Sequence, residues 1–177
     1  MNGYCPERKG GENIAPGTRR ASLVGLAAWL GLTLAAGAIG GIASRSAPTF
    51  YAQLDKPAWA PPAWLFGPVW TALYVMMGVA AWLIWREHGW ARARVALLLF
   101  LAQLSCNALW TWVFFAWRRG GLALAEIAFL VLLVVATVIA FLRLHRIAGT
   151  LLLPYLAWTA YATALTASLW ARNPELL

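Results

Sequence analysis

Charge is scarce in this chain. Only 11% of its 177 residues are Asp, Glu, Lys or Arg, where a soluble domain carries about a quarter. That deficit, with 62% hydrophobic residues, excludes an ordinary water-soluble globular domain. Cysteine is nearly absent. Cys5 sits in a polar N-terminal stretch and Cys106 inside an apolar run, so there is neither a disulfide framework nor a metal-ligand spacing. The two histidines, His88 and His145, both lie in expected turns beside arginines. Neither is near a candidate nucleophile in any segment, so no Ser-His-Asp or Cys-His set is supported, and both are expected to be solvated. No glycine-rich loop of the phosphate-cradling kind occurs.

Acids are scarcer than bases, six against fourteen, for a net charge of +8. A nucleic-acid partner is nevertheless excluded, because the basic residues fall in short clusters between apolar runs, where they mark membrane-flanking turns. The abundant residues are apolar ones and tryptophan, of which there are twelve. Interfacial belts account for some of them, but several lie in the middle of apolar segments.

The chain reads as an all-α integral membrane bundle of five transmembrane helices. Residues 1–20 are polar and basic and read as a disordered tail; residues 21–173 form the membrane domain. The helices are expected at about 21–43, 68–85, 93–117, 122–142 and 148–170, with a lid loop over 45–67. A signal peptide would also begin basic and end in small residues near Ser44–Ala47. The first apolar run exceeds the usual core of about 7–15 residues, however, so a retained helix is expected. Gly37 and Gly41 in that helix form a small-xxx-small pair suited to close helix approach. Pro154 lies early in the fifth segment and predicts a kink or a late start. Nine cations lie on the side of the N-terminal tail and five on the other, which places the N-terminus in the cytoplasm.

The stretch Lys56–Tyr74 holds four prolines and a glycine, so its first half is not helix, and it carries Trp59, Trp64, Trp70 and Tyr74. In the third segment Gln103, Asn107 and Thr111 share one face, beside Trp110 and Phe114. Amides in hydrocarbon need partners, so this face either bonds neighbouring helices or meets a ligand. In the fifth segment Trp158, Tyr161, Ala162 and Leu165 share a face with a small centre. Trp64, Trp110 and Trp158 are expected to converge under the loop around an apolar cavity suited to a flat aromatic ligand. Glu126, the one carboxylate inside an apolar segment, is expected about one turn into the fourth helix, bonding free N–H groups there; ion coupling is the other reading.

Three stretches carry a resemblance. FYAQLDKPAWAPPAWLFGPVWTALY, QLSCNALWTWVFFAWRR and LPYLAWTAYATALTASLWARN are similar, in this order, to the loop, third-helix and fifth-helix motifs of the tryptophan-rich sensory protein/translocator protein family, TspO/MBR. The likeness covers about residues 22–173. It implies a five-helix bundle, often a homodimer, with a ligand cavity closed by the loop between the first two helices. It implies porphyrins, protoporphyrin IX or haem, as ligands rather than required cofactors, with cholesterol and benzodiazepine-type compounds in some members. By motif position the ligand-binding residues would be Trp64, Asn107, Trp110, Trp158, Ala162 and Leu165, with Tyr51 from the lid; Gln103 and Tyr161 join them on the shared faces. Some bacterial members are proposed to degrade porphyrin photochemically, which would give Trp64 and Trp158 a catalytic part. The chain departs from the family where Thr166 replaces a frequent Asn and where Ala167 and Ser168 replace the tyrosines of the cholesterol-recognition stretch. The function implied is a tetrapyrrole receptor or carrier in a bacterial cell envelope; a light-driven enzyme and a scaffold without ligand turnover are the alternatives.

Overall fold

The computed structural model describes residues 16–177, with side chains from Ala21 onward; positions 1–15 of the expected tail lie outside the described residues. Five apolar columns cross the bundle. The first is α1 (Pro16–Ala43). A short α2 (Ala47–Gln53) follows, and a single 3-10 turn (Ala63–Leu65) leads into α3. The next two columns are the arms of α3 (Phe66–Thr111), which Gly89 separates with φ 63° and ψ 177°. A backbone with that φ and ψ is open essentially to glycine alone, so the chain can reverse there without a loop. The fourth column is α4 (Gly120–Leu144). The fifth is α5 (Arg146–Leu151) continued by α6 (Leu153–Arg172). Among the described residues there is no strand.

Burial follows the rule for a bundle in lipid. The centre is aliphatic and aromatic: Met77, Ile84, Leu97, Phe100 and Phe141 have no exposed surface, and Phe100 stacks on Phe141 at 5.9 Å. The outer faces are apolar too, with Val95 73%, Leu132 66% and Phe129 56% exposed, which only a hydrocarbon surround satisfies. With apolar groups on both sides, the helices are held by close packing rather than by exclusion from water. Thus a Cβ at Gly78 would lie 2.9 Å from Leu30 and Thr33 of α1, and one at Gly37 would lie 2.7 Å from the Tyr74 ring. Gly41, the other half of the expected glycine pair, meets nothing within 4 Å.

Several boundaries differ from expectation. The second helix runs on through Arg86, Glu87 and His88 to Gly89, because none of those three residues breaks a helix. The third ends in a π-helical turn, Trp112–Ala116. The loop at 45–67 contains α2, whose first turn holds Pro48, where a missing N–H costs nothing. Its C-terminal carbonyls are met by Lys56, whose Nζ donates to Tyr51 and Leu54 at 2.9 Å each. Lys56 to Pro62 is not helical, as the prolines require. The fifth column begins at Arg146 and is interrupted at Leu152, and its second piece has Pro154 in its first turn.

The histidines and Glu126 are not where solvation and a helix terminus would put them. His145 caps α5: its Nδ1 accepts from Ala148 N at 3.1 Å, and its side chain is 14% exposed. Nδ1 of His88 is buried, with no hydrogen-bond partner among the described residues. α4 begins at Gly120, so Glu126 lies beyond the first turn and the free N–H groups. Its Oε1 instead accepts from Sγ of Cys106 on α3, at 2.7 Å.

Candidate functional site

A chamber of about 440 Å³ lies at one end of the bundle, walled by α1, α2, both arms of α3 and α6. Small-molecule sites run from roughly 300 to 1,000 Å³, so this one takes a single compact ligand. Its walls follow from helix periodicity. Trp158, Ala162, Leu165 and Thr166 come from one face of α6, and Trp110 and Phe114, a turn apart on α3 and its π-turn, stack at 5.3 Å. The π-turn brings Phe115 to the same wall beside Phe114, which the tighter step of an α-helix would turn further away. From the lid come Tyr51 and Phe66, edge to face at 5.5 Å, and Phe66 in turn meets Trp158 at 6.0 Å.

Of the residues singled out in the sequence, Tyr51, Trp110, Trp158, Ala162 and Leu165 line this chamber. Gln103 and Asn107 do not. Both are 1% exposed and are turned to neighbouring helices: Asn107 Oδ1 accepts from the Tyr74 hydroxyl at 2.6 Å, and Gln103 Oε1 accepts from the Tyr155 hydroxyl at 2.7 Å. Their amides are satisfied by the bundle, the bonding alternative of the two that the sequence leaves open. Tyr161 stands behind the wall, its hydroxyl donating to the carbonyl of Trp59 at 3.0 Å. Trp64 is the departure. It sits on the 3-10 turn and is 71% exposed, because the turn between Pro62 and Phe66 aims the phenylalanine inward and the indole out. The expected convergence therefore involves Trp110 and Trp158 with Phe66, not Trp64.

Sequence reasoning also passed over the residues that hold the lid. Asn173, at the end of α6, accepts from Asp55 N at 2.8 Å and donates to Asp55 O at 3.0 Å and to Leu169 O at 2.8 Å. Arg172 adds an exposed ion pair to Asp55 at 3.3 Å. The Tyr51 hydroxyl donates to Pro61 O at 2.9 Å, and its phenol is held above its ordinary value, chiefly by burial and secondly by Tyr161. The readable signal was an Asn just past the last helical residue, a common C-terminal position.

Chemically the chamber is a receptacle. None of the residues lining it carries a formal charge. The rings of Trp110 and Trp158 belong to the wall, while their indole N–H groups are buried and lack an acceptor among the described residues. Neither histidine nor cysteine lines the wall, and among the described residues no group of three His, Cys, Asp or Glu gathers to hold a metal. Leu34, Ala38 and Gly41 of α1 and Gly67 and Thr71 of α3 line the chamber and are also exposed, so it opens on the flank of the bundle between these two helices.

The profile of the TspO/MBR family matches residues 29–171. The chain is 40% identical over 126 residues to the Translocator protein of Homo sapiens, covering 70% of this chain and 75% of that one. It is 38% identical over 152 residues to the Tryptophan-rich protein TspO of Chlorobaculum tepidum, covering 84% and 96%. It is 43% identical over 116 residues to the Tryptophan-rich sensory protein of Cereibacter sphaeroides, covering 66% and 72%.

Proposed function

The chain belongs to the TspO/MBR family of membrane proteins, and on that premise we propose that it is a receptor or carrier that takes a porphyrin, protoporphyrin IX or haem, into the chamber beneath its lid. The observation that carries the reading is the placing of Trp110, Trp158 and Phe66 around one uncharged chamber. Flat aromatic guests gain from such rings by stacking. The names of relatives, translocator and sensory protein, fit a protein that binds and hands on, or binds and reports.

The same wall predicts how haem would be treated. With no histidine or cysteine in the lining, and with the hydroxyls of Tyr51 and Tyr74 already donated to Pro61 and Asn107, the iron meets no ready axial ligand. Recognition then falls on the macrocycle, and metal-free and iron porphyrins bind alike. In this reading the protein lies in a bacterial envelope as a homodimer, with the more basic end of the bundle in the cytoplasm.

The test is a titration of protoporphyrin IX into purified protein, in the dark and then under light. Saturable tryptophan quenching in the dark that is weakened in Trp110→Leu supports the receptor. New absorbance bands under light, lost in Trp158→Phe, would make the protein a light-driven enzyme instead. No quenching in the wild type would remove the receptor reading and leave a scaffold.

A further inference from the structure

The cations at the two ends of the bundle are used differently. At the lid end most are committed to the protein. Lys56 donates to carbonyls of α2, Arg172 pairs with Asp55, and Arg118 lies 4.7 Å over the Phe50 ring. At the opposite end Arg92, Arg94, Arg143 and Arg146 are exposed and, among the described residues, have no carboxylate partner. Arg86 lies with its Cζ 4.4 Å from the centre of the Trp82 ring. Stacking of that kind uses the face of a guanidinium and leaves its N–H edges free.

These arginines belong to two turns, one around Gly89 and one around His145. Glu87 and His145 join the turns, Oε1 to Nε2 at 3.4 Å, so the two sets of cations stand side by side. The lone carboxylate of this end among the described residues thereby faces a histidine, not the arginines. Beside the cations stand exposed apolar side chains: Trp90 at 46%, Val95 at 73% and Ile147 at 63%.

We propose that this end of the bundle, built from the α3 turn and the α4–α5 turn, is a binding surface for anionic phospholipid headgroups. Guanidinium forks match phosphate oxygens two by two, and the exposed apolar groups beside them match the acyl chains below the phosphate. A soluble phosphate would use only the first of these features, so the lipid is the occupant that fits. The exposed indole of Trp90 is placed at the level where aromatic side chains meet headgroups.

Reconstitution of the full chain with equal parts of phosphatidylglycerol and phosphatidylcholine, followed by native mass spectrometry of retained lipid, tests this. The wild type is expected to retain phosphatidylglycerol in preference. The double variant Arg143→Gln/Arg146→Gln loses that preference by roughly tenfold or more, given the attraction each cation contributes near an anionic surface. Arg118→Gln/Arg119→Gln, at the other end, keeps it. Should the first variant lose helicity, Arg92→Gln/Arg94→Gln on the exposed arm replaces it. Equal retention of both lipids by the wild type overturns the proposal, and so does equal loss in the variants of both ends. Displacement of the retained lipid by millimolar glycerol phosphate would overturn it as well, by making the site one for soluble phosphate.

Discussion

The hydroxyl of Tyr74, a residue of the chamber wall, donates to Oδ1 of Asn107 at 2.6 Å, a bond that fastens the two arms of α3 to each other inside the bundle. Asn107 is therefore a strut, and its removal acts on stability first. Asn107→Leu is expected to lower thermal stability in detergent by about 1–2 kcal/mol, with protoporphyrin affinity little changed. Tyr74→Phe costs a similar amount, and the double variant costs less than the sum of the two. Additive losses would show that the two groups are not coupled.

The lid is held by the part-buried hydrogen bonds between Asp55 and Asn173 more than by its exposed ion pair. Asn173→Ala removes three bonds to Asp55 and Leu169 and is expected to cost about 1–3 kcal/mol, with faster hydrogen exchange over residues 54–61. Arg172→Ala breaks only the exposed pair with Asp55 and is expected to stay within about 0.5 kcal/mol. Hydrogen exchange by mass spectrometry on the two variants distinguishes them.

Ala162 lies in the α6 wall of the chamber. Ala162→Trp fills the space and is expected to weaken protoporphyrin binding at least tenfold, read by tryptophan quenching, while the helical content holds. Unaltered affinity would move the guest elsewhere.

Gly89 and Gly41 give opposite expectations for the same substitution. Gly89 has φ 63° and ψ 177°, so Gly89→Ala is expected to cost about 1–3 kcal/mol. Gly41 sits in helix with nothing within 4 Å, so Gly41→Ala is expected to be neutral or slightly stabilising. Thermal melts of the two variants in one detergent make the comparison.

Burial raises the phenol of Tyr51 above its ordinary value, so the folded lid holds that proton more tightly than the unfolded chain. The associated stability is full below about pH 10, the ordinary phenol range, and is lost as pH rises through the folded value. Lid hydrogen exchange, corrected for its intrinsic pH dependence, is expected to accelerate above that range in the wild type and less so in Tyr51→Phe.

Much of the architecture was legible because periodicity and proline carry it. The five apolar columns, the non-helical run from Lys56 to Pro62 and the interruption of the fifth column just ahead of Pro154 all follow from backbone chemistry that any reader of the chain can apply. The shared face of Trp158, Ala162 and Leu165 came from helix spacing, and these residues do line one chamber. What was not legible depended on distant partners or on the turn of a single residue. Trp64 is two residues from Phe66, and only the 3-10 geometry between them decides which ring enters. Glu126 meets Cys106 from another helix, and His145 caps a helix too short to announce itself. α2 was readable in part, since Ser46-Ala47-Pro48 is a helix-start pattern, but seven residues inside a proline-rich loop gave no period to follow.

The flank opening between α1 and α3 determines how an affinity for this protein must be measured. A hydrophobic guest reaching the chamber from that side comes out of the lipid phase, where it is concentrated by its own insolubility in water. Its occupancy then tracks moles of guest per mole of lipid. A dissociation constant quoted in molar units of buffer will drift with the amount of detergent or bilayer present, and values from different preparations become comparable only when expressed as mole fractions.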